Sequence, residues 1–391
     1  MSKSKYEALG ASATKSGLHR VLDQAGVTDS LGLFAKVTPD FAGNPEYYSV
    51  VHCDGAGTKA IVPYLFYKET GSRALFANLA QDALVMNLDD IYCIGAPESL
   101  VLANALARNA RLIDDEMLAE LIASYRSLVQ QFQQLGVPIV MSGGETADCG
   151  DLVRTLLVDA VVAGRIAKAR IIDANRIAAG DRIVGLSSTG RASYESSANS
   201  GIGSNGLTLA RHALLSNTYA TAYPEVVDPG VDPTLAYSGS YRVSDTPALL
   251  SCTVGEALAS PTRSYAPILA RIYDRLGNKV HAAIHLTGGG QTKMLRFGTG
   301  LRFVKDELFP IPPLFQLIQE SGNVGWREMF QVFNMGHRME LYLEEEHCAV
   351  ALETAAEFGV EAKVIGHVEA QAEATNSLHL VSSVGTFDYS L

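Results

Sequence analysis

The chain has 391 residues, 47% hydrophobic and 19% charged, with a formal net charge of −11 at pH 7. That length suits two domains of ordinary size, and the composition is that of a globular protein. The acidic balance argues against nucleic acid or an anionic membrane as the main partner. No uncharged apolar run approaches the roughly 18 residues a membrane helix requires, and the first residues show no signal-peptide core. Five scattered cysteines (Cys53, Cys93, Cys149, Cys252, Cys348) without a CxxC pair point to reduced thiols and a cytoplasmic location. Cys53 and Cys149 are expected as small buried hydrophobes.

In chain order, residues 1–45 are mixed, with a short helical pattern around Leu18, Val21 and Leu22 and a turn at Asn44-Pro45. Residues 47–51 have strand character and run into Asp54-Gly55-Ala56-Gly57-Thr58-Lys59. There Gly55 and Gly57 permit close backbone approach to a ligand, and consecutive N–H groups form an anion-binding concavity. Lys59 adds a cation suited to phosphate. Asp54 would repel a bare phosphate, so its natural partner is magnesium between protein and nucleotide.

Residues 72–94 read as a helix with Leu84, Val85, Leu88, Ile91 and Tyr92 on one side. Asp82 and Asp89 fall within about 20° of each other opposite that stripe, and Asp90 lies about 80° from Asp82. A second helix carries the apolar stripe Leu118, Leu121, Ile122, Tyr125, Leu128, Val129 and Phe132, with Gly136 placed to stop it. A buried strand over 137–141 leads into a glycine loop, Ser142-Gly143-Gly144-Glu145-Thr146, and another strand spans 156–162. The basic stretch 165–176 is the best candidate domain boundary, dividing the chain into 1–170 and 171–391.

The second half opens with a strand over 182–186, then turns Ser/Gly/Asn-rich over 187–206, a loop by composition. Residues 213–250 look like an insertion with little core of its own. A helix is expected over 261–275, and a strand over 280–286 ends in Thr287-Gly288-Gly289-Gly290. A helix over 347–358 and a closing strand over 360–368 complete the pattern. Strands leading into glycine loops and helices in both halves imply two α/β (α+β) domains.

Three glycine loops thus follow strands, at 54–59, 142–146 and 287–290. A fourth, Gly201-Ile202-Gly203-Ser204-Asn205-Gly206, precedes an apolar helix. Such junctions aim backbone N–H groups at phosphate, and the accompanying Asp54, Asp82, Asp89, Asp90 and Glu145 imply magnesium-bound phosphates. A glycine junction is also an ordinary need of α/β folds, and a carboxylate helix face is often simply solvated. His285, between Ile284 and Leu286, would ordinarily be a satisfied core histidine.

Taken in order, these pieces resemble the phosphoribosylformylglycinamidine cyclo-ligase (AIR synthetase) family over most of the chain. They are joined by Ser260-Pro261-Thr262-Arg263, Glu328-Met329-Phe330 and Phe333-Asn334-Met335-Gly336. The resemblance implies a homodimer whose N-terminal sheets combine into an intersubunit barrel. It also implies ATP-dependent phosphorylation of an amide oxygen followed by closure of an imidazole ring, with ATP and Mg2+ as cofactors and a small phosphoribosyl substrate.

By position, the resemblance puts metal at Asp54, Asp82, Asp89, Asp90 and Glu145, and the nucleotide at Asp54, Gly55, Gly57, Thr58, Lys59, Gly143, Gly144, Glu145 and Thr146. Substrate contacts fall to Ser204, Asn205, Gly206, Arg263, Thr287, Gly288 and Gly289, and chemistry to Lys59, Asp90 and His285. The chain departs from the family at Gly203, where members usually carry histidine, so that His285 or Arg263 is expected to cover for it. Asp89 replaces the usual asparagine, and insertions lie near 191–200 and 213–250. These mark a divergent branch. A related ATP-using enzyme of the thiamine monophosphate kinase kind, or a non-catalytic nucleotide-binding paralogue, are the alternatives.

Overall fold

A computed structural model describes residues 4–13, 17, 21, 24 and 32–391. Leu18 and Leu22 of the expected N-terminal helical pattern lie outside the described residues. Helix α1 (Lys5–Ala8) is closed by reciprocal hydrogen bonds between Ser4 and Glu7. It does not join the N-terminal half. Lys5 Nζ donates to the carbonyls of Gly322 and Asn323, and the Tyr6 amide donates to Glu328 Oε1 at 2.8 Å, so the segment lies on the C-terminal half.

The first sheet has five strands in the order β1-β2-β5-β3-β4: β1 (Val37–Pro39), β2 (Tyr47–Gly55), β3 (Ser99–Arg108), β4 (Ile139–Asp148) and β5 (Leu156–Ala167). Helices α2 (Ile61–Thr70), α3 (Phe76–Tyr92) and α4 (Asp115–Gln134) belong to this half. Asp114 caps α4 by accepting from the Met117 amide at 2.8 Å, and the expected stripe is buried except for Ile122. Alternate residues of β5, Leu156, Val158, Ala160 and Val162, face inward in the strand period. The opposite face of the sheet is open: Val51 is 58% exposed, Val101 42%, Val140 52% and Leu157 39%. Cys53 is exposed rather than buried, and Cys149 is half-buried.

The second sheet has seven strands in the order β14-β13-β10-β12-β6-β11-β9. They are β6 (Arg182–Ser187), β9 (Val280–His285), β10 (Leu301–Lys305), β11 (His337–Leu343), β12 (Ala362–Ala370), β13 (Ser377–Ser382) and β14 (Gly385–Ser390). A short pair, β7 (Thr189–Gly190) and β8 (Asn199–Ser200), crosses the polar stretch read as loop. The helices of this half are α5 (Leu207–Leu214), α6 (Thr218–Ala222), α7 (Val254–Leu258), α8 (Ala266–Leu276), α9 (Pro313–Gly322), α10 (Trp326–Val332) and α11 (Glu345–Glu357). A continuous set of buried apolar residues runs through both halves.

Four expectations change. The 142–146 stretch is not a loop but the middle of β4, and the bare Cα of Gly144 lies against β3, where an added Cβ would fall 1.5 Å from Asn104 Oδ1. Helix α8 starts only at Ala266, with Pro267 in its first turn, so 260–265 is free to make contacts elsewhere. The strand over 360–368 does not close the sheet, because β13 pairs in parallel with β10 and β14 follows. The 213–250 insertion has a core: Tyr219, Val226, Tyr237 and Val243 are buried, and Tyr219, Arg242 and Ser244 all bond Glu69 of α2.

Candidate functional site

The site forms where α3 meets the second half of the chain. Helix α3 is buried nearly all round, so its acids need partners, and each finds them across the junction. Asp82 Oδ1 accepts from Lys59 Nζ at 2.7 Å, from the Thr262 amide at 2.9 Å and from Thr262 Oγ1 at 2.6 Å, while Oδ2 has no partner. Asp89 accepts from Ser264 Oγ at 2.8 Å and from the amides of Tyr265 and Ala266, so it closes the N-terminus of α8. Burial pushes its carboxyl up to about 7, against the opposing pull of Arg338.

Asp90 receives His285 Nδ1 at 2.7 Å and lies 3.4 Å from His52 Nε2. Against its burial, these two contacts hold it well below the usual carboxylate range. Asp90 is therefore ionised and Nδ1 of His285 carries the proton. The other ring nitrogen, Nε2, accepts from Arg338 Nε at 3.1 Å. Burial holds the imidazole neutral, with its pKa pushed down to about 4.

These contacts redefine several expected roles. Lys59 is fully buried, with its ammonium on Asp82 and on the Ser260 carbonyl at 2.5 Å, and not turned to the exposed side of the 54–59 loop. His285, expected as a proton handler, is fully buried with Nδ1 on Asp90 and Nε2 accepting from Arg338. Asp89, expected to hold metal, is fully buried with both oxygens on backbone and Ser264 donors. Asp90 is likewise engaged by two histidines. Arg263 is held by Glu195, with Nη2 at 2.6 Å, and by the carbonyls of Ser187, Thr189 and Gly190. Neither His285 nor Arg263 is free to cover for the histidine absent at Gly203.

The structure brings the predicted loops together. Thr58 Oγ1 lies 2.9 Å from Thr208 Oγ1, in the first turn of α5, so the 54–59 loop touches the element that follows Ser204-Asn205-Gly206. Ser204 Oγ in turn lies 3.3 Å from Thr262 Oγ1. The 287–290 loop is braced from behind. Gln291 donates to the Asn334 carbonyl at 2.5 Å, Lys305 Nζ bonds Gln291 Oε1 at 3.0 Å, and Glu340 neutralises Lys305. Asn334 donates to the Gly201 carbonyl at 2.7 Å, which ties the same brace to the 201–206 segment.

Glu145 and Asp159 sit on the open side of the first sheet, whereas Asp54 pairs with the inward-facing Ala160. Gly55, Asp159, Ala105 and Glu145 occupy one row across β2, β5, β3 and β4. The Asp159 carboxylate lies against Gly55, and burial together with the charge of Asp54 raises its pKa. Glu145 stands two strand spacings from Asp159, about 10 Å. A divalent cation suits Asp54 and Asp159, because it would offset that repulsion. Sequence reading missed Asp159, which is one more acid in an apolar strand. It also missed Lys293, whose Nζ bonds Thr287 Oγ1 and lies 4.4 Å from the Phe34 ring centroid, within electrostatic reach of Asp90 and Asp54. Lys293 follows the glycine triplet by three residues, which was the available signal. Beside the site, a cleft of about 570 Å³ is lined by Gln81, Ser124, Gln131, Asn199 and Ser264.

Residues 23–166 match the AIR synthase related protein N-terminal domain, and residues 178–377 match the C-terminal domain of that description. The phosphoribosylformylglycinamidine cyclo-ligase of Methanocaldococcus jannaschii is 32% identical over 83% of this chain and 79% of its own length. That of Thermococcus kodakarensis is 32% identical over 83% of this chain and 79% of its own. Among solved structures, Thermotoga maritima PurL complexed with ADP is similar at a TM-score of 0.52 and 16% identity, across 92% of this chain and 45% of that one. A HypE–HypF complex is similar at a TM-score of 0.54 and 12% identity, across 96% of this chain and 99% of the matched one. At such identities the likeness is one of fold. This chain spans less than half the length of the PurL chain it matches.

Proposed function

The chain belongs to the AIR synthase related family, and from that premise we propose that it is an ATP-dependent cyclo-ligase of purine biosynthesis. It closes formylglycinamidine ribonucleotide to 5-aminoimidazole ribonucleotide. The observation that carries this reading is its 32% identity to a phosphoribosylformylglycinamidine cyclo-ligase over 83% of the chain. The two relatives at 32% identity are named cyclo-ligases, which favours this reading over a kinase-like enzyme or a non-catalytic paralogue.

In the reaction, the amide oxygen attacks the γ-phosphorus of ATP and ADP leaves. An internal nitrogen then attacks the activated carbon, the ring closes and phosphate departs. The second step is intramolecular, so no protein nucleophile is needed, and the protein's task is to position reactants and balance charge. The 54–59 loop and the Gly143–Thr146 part of β4 take the nucleotide, with Asp54 and Asp159 as the acids that would hold magnesium. When bound, that ion neutralises phosphate charge. Lys293 contributes the cation on the opposite wall, where Lys59 was expected. Ser204, Asn205, Gly206, Thr287, Gly288 and Gly289 take the ribonucleotide, supported by the direct Thr58–Thr208 contact that joins the two binding regions.

The protein acts as a cytoplasmic homodimer, with residues 1–170, apart from the α1 segment that lies on the second half, as the nucleotide and dimerisation domain and 171–391 as the substrate domain. The open apolar face of the first sheet, with Val51, Val101, Val140 and Leu157, supports that pairing. No helix among the described residues is long and apolar enough to cross a membrane. The test is purified protein with formylglycinamidine ribonucleotide, ATP and magnesium, monitored for aminoimidazole. Nucleotide binding without product would reject the cyclo-ligase reading.

A further inference from the structure

A buried guanidinium with no carboxylate in direct contact faces the 201–206 segment. Arg338, the second residue of β11, is 1% exposed, and no carboxylate lies within ion-pair distance of it among the described residues. Its Nε donates to His285 Nε2, its Nη2 to the Arg263 carbonyl, and its face lies over the Tyr265 ring. Nη1 has no hydrogen-bond partner. Opposite Nη1 stands Gly203, whose missing side chain makes the room: a Cβ there would lie 3.2 Å from Nη1 and 3.6 Å from Cδ. Two residues on, Asn205 Oδ1 is also buried without a partner. Nearby, Asp82 leaves Oδ2 unbonded, and its other oxygen is held by Thr262, the contact of Ser204. Orphaned donors and acceptors on both sides of one segment are the mark of a place completed by something else.

Leaving a charged donor buried and unpaired is costly, and the cost is removed when an anion arrives. A planar guanidinium with one free Nη suits a phosphate oxygen, whose charge is best balanced by a fixed donor in a dry site. We infer that Arg338 binds a phosphate oxyanion of the ligand, in the space that Gly203 leaves open. The inference rests on the proposed function for the identity of the ligands, not for the geometry. Nη1 is enclosed, so entry requires the 201–206 segment to shift. The phosphate is either the ribose phosphate of the ribonucleotide or the γ-phosphate of the nucleotide.

Calorimetric titrations of wild type, Arg338→Lys and Arg338→Met separate the two. The probes are formylglycinamidine ribonucleotide and its dephosphorylated ribonucleoside, then a non-hydrolysable ATP analogue and ADP with magnesium. If Arg338 meets the ribose phosphate, both variants lose about tenfold or more in affinity for the ribonucleotide and little for the ribonucleoside. If it meets the γ-phosphate, the loss falls on the ATP analogue and spares ADP. Lysine keeps the charge and a single donor, so it loses less than methionine and guards against a folding defect. Unchanged affinities, or equal losses for phosphorylated and dephosphorylated partners, overturn the inference. Failure of the wild type to make aminoimidazole would reject the cyclo-ligase reading alone, since these titrations do not depend on turnover.

Discussion

Lys59 and Asp82 form an ion pair of 2.7 Å with both side chains fully buried, and the same ammonium reaches the Ser260 carbonyl of the second half. The pair joins the end of the 54–59 loop, helix α3 and the 260–263 segment at one point. Its geometry is that of a strut between halves.

Removing one member strands the other's charge. Lys59→Met is expected to lower the stability of the protein by about 3–5 kcal/mol in urea unfolding. The double variant Lys59→Met/Asp82→Leu recovers most of that loss, because neither charge is then buried alone. Were Lys59 a phosphate ligand, the single variant would bind nucleotide poorly with stability unchanged.

Asp54, at the end of β2, and Asp159 of β5 repel each other, and a divalent cation bound there would relieve that repulsion. Asp54→Asn and Asp159→Asn are each expected to weaken magnesium-dependent ATP use by about tenfold or more, while circular dichroism and melting stay near wild type. Activity that is unmoved in both would shift the metal to other acids.

The α3 acids give two opposed pH effects. Asp89, faced by Ser264, Arg338 and Asp90, has its pKa raised by burial to about 7, so the folded state holds a proton that the unfolded state releases near its ordinary value. Its contribution to stability therefore falls as pH rises from about 4 to about 7. His285, faced by Asp90, Arg338 and Lys293, has its pKa lowered to about 4, so between there and about 6.5 the unfolded state binds the proton instead. Its contribution rises with pH across that window. Asp89→Asn should leave a stability that climbs from pH 4 to 6.5, and His285→Gln one that declines from pH 4 to 7, in chemical denaturation at each pH. Parallel pH profiles in the two variants would show that these groups do not titrate as described.

The open sheet face predicts a dimer that a charge will break. Val101→Lys, on the exposed side of β3, is expected to convert dimer to monomer in light scattering after size exclusion, since an ammonium there must be desolvated in the interface. A wild-type protein that is monomeric at micromolar concentration would remove the basis for that prediction.

Sequence by itself determined the order of elements that carry the site. Strand period, helical stripes and glycine punctuation are local properties, so the strand begun at 47–51, which in fact runs on to Gly55, the α3 helix, the α4 stripe and the loop before α5 were legible, as was the family they resemble. It also read the α3 carboxylates as a shared face, which they are. What those carboxylates do was decided only by the tertiary structure. Periodicity says which side of a helix a residue occupies but not what packs against it, and here the whole of α3 is enclosed, so Asp82, Asp89 and Asp90 bond Lys59, the N-terminus of α8 and His285. The same holds for Gly144, which reads as loop yet lies in a strand beside Asn104. It holds too for Gly203 and Arg338, 135 positions apart in the numbering and meeting only because β11 runs beneath the 201–206 segment. Contacts between distant residues depend on long-range packing, and no local pattern in the chain encodes them.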